Sequence, residues 1–135
     1  MAVYISPLTE GFGASATGFS IRDGLSESDF RDIELALNAY GVLVMPDQPL
    51  DDEAQVAFSE RLGPLEETLV GAVGAGSKIV RVANVLPDGT LKDPDSQQAL
   101  FTRANFLWHT DSSFKATPAK YSMLSARELP RAGGG

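Results

Sequence analysis

Between Ser26 and Pro46 the chain changes its hydrophobic period across one glycine, so its fold must hold a helix and a strand in immediate succession. Ser26-Glu27-Ser28-Asp29 reads as a helix start: the Ser26 hydroxyl can cap free N–H groups, and Asp29 stands at capping-box spacing. Phe30, Ile33, Leu35, Leu37 and Tyr40 then follow a roughly helical period, and Gly41 stands where a left-handed C-terminal residue is wanted. Val42-Leu43-Val44-Met45 is short, apolar and β-branched in part, as a buried strand is, and Pro46-Asp47 stops it.

The rest of the chain adds similar pieces. A strand is expected over 14–22, ending at the turn Asp23-Gly24. A second helix is expected from about Asp51 to Leu62, with Asp51, Asp52 and Glu53 in its first turn, where negative charge suits the helix dipole, and Gly63-Pro64 ending it. Residues 66–78 carry Gly71, Gly74, Gly76 and Ser77 with few large apolar groups and read as a mobile surface loop, with a lid over a site as the sharper reading. Residues 78–85 alternate well enough for a strand before the turn signal Pro87-Asp88-Gly89, and strand-like pieces recur at 107–111 and 121–126. No internal repeat and no inter-domain linker interrupts residues 1–135, which read as one domain.

Composition excludes several functions. Hydrophobic residues at 43% and charged residues at 21% are ordinary globular values. The net charge of −7, with eleven scattered basic residues, argues against nucleic-acid and anionic-membrane partners, which need clustered Lys and Arg. The absence of cysteine removes disulfides, iron–sulfur clusters and thiol nucleophiles. Met1 to Pro7 lacks the basic and apolar regions of a secretion signal, and no apolar run is long enough for a membrane span, so a cytoplasmic location is expected. No Gly-X-Gly-X-X-Gly, P-loop or nucleophile elbow supports nucleotide or hydrolase chemistry.

The chemistry concentrates in Trp108-His109-Thr110-Asp111-Ser112-Ser113-Phe114, which holds the single histidine of the chain. In a strand, residues i and i+2 point to one face, so the imidazole and the carboxylate would converge. Such a pair is two of the three ligands in the 2-His-1-carboxylate triad that holds Fe(II) and leaves positions open. Trp108 and Phe114 can supply a dry shell, and Thr110, Ser112 and Ser113 can orient the ligands. Asn105, four residues before His109, can reach into the same site. The plainer reading is an ordinary hydrogen-bonded His–Asp pair in a non-catalytic, cupin-like or interaction fragment. Lys78 and Arg81 read most simply as solvated strand-edge charge, with contact to a substrate carboxylate as the alternative. Asp93-Pro94-Asp95-Ser96 reads as a polar turn, and Glu66, Asp93 and Asp95 have no spacing that suggests acid–base catalysis.

The stretch 105–114, followed by Tyr121-Ser-Met-Leu-Ser-Ala126, resembles the Fe(II)/2-oxoglutarate-dependent dioxygenases of the taurine and 2,4-dichlorophenoxyacetate dioxygenase family, and most closely the 2,4-dichlorophenoxyacetate branch. Residues 41–50 and 57–65 look like the helix–strand–helix segment of that family. The resemblance implies an α+β fold, the N-terminal half of a double-stranded β-helix (jelly roll) with flanking helices. It implies that residues 1–135 are a partial dioxygenase domain, inactive alone, with the C-terminal half missing. His109 and Asp111 would be iron ligands, and Asn105 would lie beside 2-oxoglutarate and substrate. Gly133-Gly134-Gly135 fits a Gly-Gly-X-Thr sequence of the family, whose threonine, distal His and co-substrate-anchoring Arg would follow. The implied reaction consumes O2 and 2-oxoglutarate and hydroxylates a small organic acid, an aryloxyalkanoate, with taurine or an alkyl sulfate as the alternative. An assembly of identical chains stays open, although one histidine per chain rarely meets the geometry of a shared triad.

Overall fold

A computed structural model describes residues 2–66, 76–86, 88–104, 107–129 and 131. They fall into two compact units, residues 1–64 with 124–135, and residues 65–123. In the first unit, β1 (Tyr4–Thr9) and β2 (Phe12–Thr17) form an antiparallel hairpin with Thr9 opposite Phe12. Helix α1 (Glu27–Tyr40) leads to β3 (Leu43–Val44), which pairs parallel to β2 with Ala14 opposite Leu43. The sheet order is β1-β2-β3, and helix α2 (Asp52–Leu62) follows.

The reasons are local and then tertiary. Ser26 caps α1 by accepting from the Asp29 N–H, and it also donates to Asp29 Oδ2 at 2.6 Å. Gly41 closes the helix at φ 73°, its N–H bonded to Leu37 O at 2.9 Å. Asp51 caps α2 through Ala54 N at 2.8 Å. Small Ala14 and Ala16 on β2 let α1 lie close, and they share a core with Phe19, Ile21, Phe30, Ile33, Ala36, Leu50 and Phe58. Phe30 and Phe58 meet edge to face at 5.9 Å, and the Arg61 guanidinium covers the Phe30 ring at 4.1 Å while reaching Glu27 at 2.7 Å. Near the C-terminal end of the unit, Arg127 donates to Leu50 O, Asp52 Oδ1 and Gln55 Oε1, which fastens that stretch to the start of α2.

The expected strand over 14–22 stops at Thr17. Gly18 has φ 85°, which leaves the strand region, and the Gln48 amide takes over the pairing, accepting from Ile21 N at 2.9 Å and donating to Phe19 O at 3.1 Å. Strand β1 was not expected; Pro7 reads against a strand, but an edge position needs no N–H on its open side.

In the second unit, the alternation over 78–85 yields a single bridge, Val85 to Leu91, flanked by Lys92 N to Asn84 O at 2.8 Å. The polar turn at 93–96 forms, closed by Ser96 N on Asp93 O at 3.1 Å, and leads into a helix that was not expected, α3 (Gln97–Ala104), with Ser96 Oγ accepting from Ala99 N at 3.2 Å. The pieces at 107–111 and 121–126 are not strands: among the described residues no strand lies beside them to supply a ladder. Most of the loop 66–78 and the glycines 133–135 lie outside the described residues. The α+β expectation is borne out, and no described helix is long and apolar enough to cross a membrane.

Candidate metal centre

His109 and Asp111 come together, by a route other than strand alternation. Residues 107–110 are irregular, the chain turns at 111–114, and Ser112 takes φ 58°, a left-handed value uncommon for a side-chain-bearing residue. Lys115 N closes the turn on Ser112 O at 2.9 Å. The outcome is His109 Nε2 at 3.3 Å from Asp111 Oδ1, with both side chains about half exposed.

The outer atom of each group is held by a third residue. His109 Nδ1 lies 2.7 Å from the Leu107 carbonyl, and a carbonyl only accepts, so Nδ1 carries a proton and Nε2 is the ring nitrogen that faces Asp111. Asp111 Oδ2 accepts from Ser122 Oγ at 2.7 Å. Nitrogen and oxygen 3.3 Å apart can share a proton on Nε2 as a hydrogen bond or serve together as donors to one metal ion. At metal–ligand distances of about 2.1 Å, two donors this far apart could both reach one ion. The donor set, imidazole nitrogen with carboxylate oxygen, suits a non-haem iron site. Among the described residues no group of three or more His, Cys, Asp and Glu side chains gathers.

The turn after Asp111 has its own anchor. Glu66 Oε1 accepts from Lys115 Nζ at 2.6 Å, and the Lys115 bond, followed by one from Ser112, holds the Glu66 carboxyl below its usual range. Glu66 therefore has a structural partner rather than an acid–base one. Ser112 turns to Glu66, and it is Ser122 that bonds the Asp111 carboxylate. Trp108 is fully exposed and Phe114 is 77% exposed, so neither dries the site among the described residues. Asn105 lies outside the described residues. Ser122 was quoted above only as part of a family-like stretch; its separation of 11 residues from Asp111 carries no periodic signal that could have marked it.

The chain as a whole is similar to several known proteins. The chain is 35% identical over 139 residues to the alpha-ketoglutarate-dependent 2,4-dichlorophenoxyacetate dioxygenase of Cupriavidus pinatubonensis, covering 99% of this chain and 48% of the relative. It is 36% identical to the (S)-phenoxypropionate/alpha-ketoglutarate-dioxygenase of Sphingobium herbicidovorans, covering 96% of this chain and 42% of the relative. The crystal structure of AAD-2 in complex with Mn(II) and N-oxalylglycine superposes with a TM-score of 0.75 at 36% identity, covering 89% of this chain and 40% of that one. The chain thus spans about half the length of the curated relatives it matches. The family model of the taurine catabolism dioxygenase TauD, TfdA family matches residues 5–135, and the chain belongs to that family.

Proposed function

We propose that this chain is part of an Fe(II)/2-oxoglutarate-dependent dioxygenase that hydroxylates a small organic acid, an aryloxyalkanoate. The observation that carries the reading is the His109–Asp111 pair at 3.3 Å, each partner oriented from behind, in a chain about a third identical to dioxygenases named for such substrates. His109 Nε2 and Asp111 Oδ1 would hold the metal. Asn105 would lie beside the co-substrate. The remaining ligand and the co-substrate anchor would come from polypeptide that corresponds to the rest of the relatives' length, completing a jelly roll.

Bound Fe(II) with 2-oxoglutarate supplies the oxidising power to hydroxylate a C–H bond with O2, giving succinate and carbon dioxide as co-products. The protein's own part is geometry. The Leu107 carbonyl keeps the His109 proton on Nδ1, so Nε2 stays free to bind. Ser122 holds one Asp111 oxygen and leaves the other toward His109. Hydroxylation of an aryloxyalkanoate beside its ether oxygen would give a hemiacetal that breaks to a phenol and an oxo acid.

The test is succinate release by the natural full-length protein with Fe(II) and 2-oxoglutarate, comparing 2,4-dichlorophenoxyacetate, taurine and an alkyl sulfate. Phenol release with the aryloxyalkanoate as the preferred substrate is expected. Preference for taurine or the sulfate would move the substrate elsewhere within the family. No substrate-stimulated succinate with any acid would contradict the enzyme reading.

A further inference from the structure

The two oxygens of Asp111 have different surroundings. Oδ1 faces His109 Nε2 at 3.3 Å, while Oδ2 accepts from Ser122 Oγ at 2.7 Å. Left alone, a carboxylate turns easily about its last bond, because that torsion is broad and roughly two-fold. It can then bind a metal through one oxygen or two. A second bound oxygen would take a position that the co-substrate or oxygen needs. The Ser122 hydroxyl removes this freedom at the one atom that does not face the imidazole.

We propose that Ser122 is a positioning residue of the metal site, holding Asp111 Oδ2 so that the aspartate binds through Oδ1 alone. The inference rests on the metal-site reading above. Ser122 is itself exposed, and an exposed hydroxyl adds little to folding stability, so its effect falls on metal binding rather than on the fold. Leu107 and Ser122 thus play matching parts, one fixing the imidazole and the other the carboxylate.

The experiment titrates Mn(II) alone into the metal-free, natural full-length protein and reads bound against free metal by electron paramagnetic resonance. Ser122→Thr and Ser122→Val have nearly the same shape and differ in the hydroxyl. The valine variant is expected to weaken Mn(II) binding about 10- to 100-fold, with threonine restoring it, as for lost partners of metal ligands generally. Cobalt(II) absorption is expected to change in the valine variant alone, reporting an altered aspartate ligand. Equal binding by both variants, or equal loss in both, overturns the role of the hydroxyl. His109→Ala and Asp111→Ala run alongside: if they bind Mn(II) like the parent, the metal site itself is misassigned. If they lose the metal while Ser122→Val keeps it, only the Ser122 inference fails.

Discussion

Lys115 Nζ lies 2.6 Å from Glu66 Oε1, joining residues 49 apart and tying the turn after Asp111 back to Glu66. The carboxyl is held low first by that bond and then by Ser112. The folded carboxyl binds its proton less readily than the unfolded one. Its contribution to stability is therefore complete above the unfolded pKa and is lost as pH falls through the lower, folded value. A carboxyl-carbon NMR titration is expected to place the Glu66 midpoint below about 4.3, the ordinary glutamate value. Lys115→Met is expected to raise it; an unmoved midpoint would show that the Lys115 bond is not the cause.

Ile33 and Leu35 belong to the same apolar series in the sequence, yet Ile33 is 0% exposed and Leu35 is 57% exposed. Ile33→Ala opens a cavity in the buried core and is expected to cost about 2 to 5 kcal/mol. Leu35→Ala is expected to stay within about 0.5 kcal/mol. Chemical denaturation of the two variants compares them, and equal losses would place the core on the wrong face of α1.

Gly18 and Gly24 have similar left-handed backbones, φ 85° and 90°, but different neighbours. A Cβ on Gly18 would come 2.5 Å from the Ala2 carbonyl oxygen and 2.6 Å from the Tyr4 ring, whereas one on Gly24 meets nothing within 4 Å. Gly24→Ala carries only the left-handed strain, about 1 to 2 kcal/mol. Gly18→Ala is expected to cost more, because backbone must move as well. Thermal melts that rank the two the other way would argue against the close approach of the first strand to Gly18.

Where signals were local, the sequence was readable. Helix α1 announces itself through Ser26, Asp29 and Gly41; Ser26 and Gly41 cap it as their positions suggest, while Asp29 accepts from the Ser26 hydroxyl. Strand β1 contains Pro7, which a strand tolerates at the sheet edge, and that edge position appears only in the sheet order. Helix α3 was hidden by Asp93-Pro94, which reads as a turn and does form one, with Ser96 then serving as the cap. His109 and Asp111 could be found because they are two residues apart, but the geometry that joins them is the turn at Ser112, not strand alternation. The residues that steady this turn, Ser122 and Glu66, are brought in by tertiary folding, which no sequence period records.

The most direct test of the central claim measures substrate-dependent succinate release in the natural full-length protein and in its Asp111→Ala variant, with 2,4-dichlorophenoxyacetate, Fe(II) and 2-oxoglutarate supplied. The account predicts turnover by the parent and a loss of at least about 100-fold in the variant, at or beyond the scale of an electrostatic partner in an active site. Full turnover by Asp111→Ala would contradict the assignment of the His109–Asp111 pair as the metal centre.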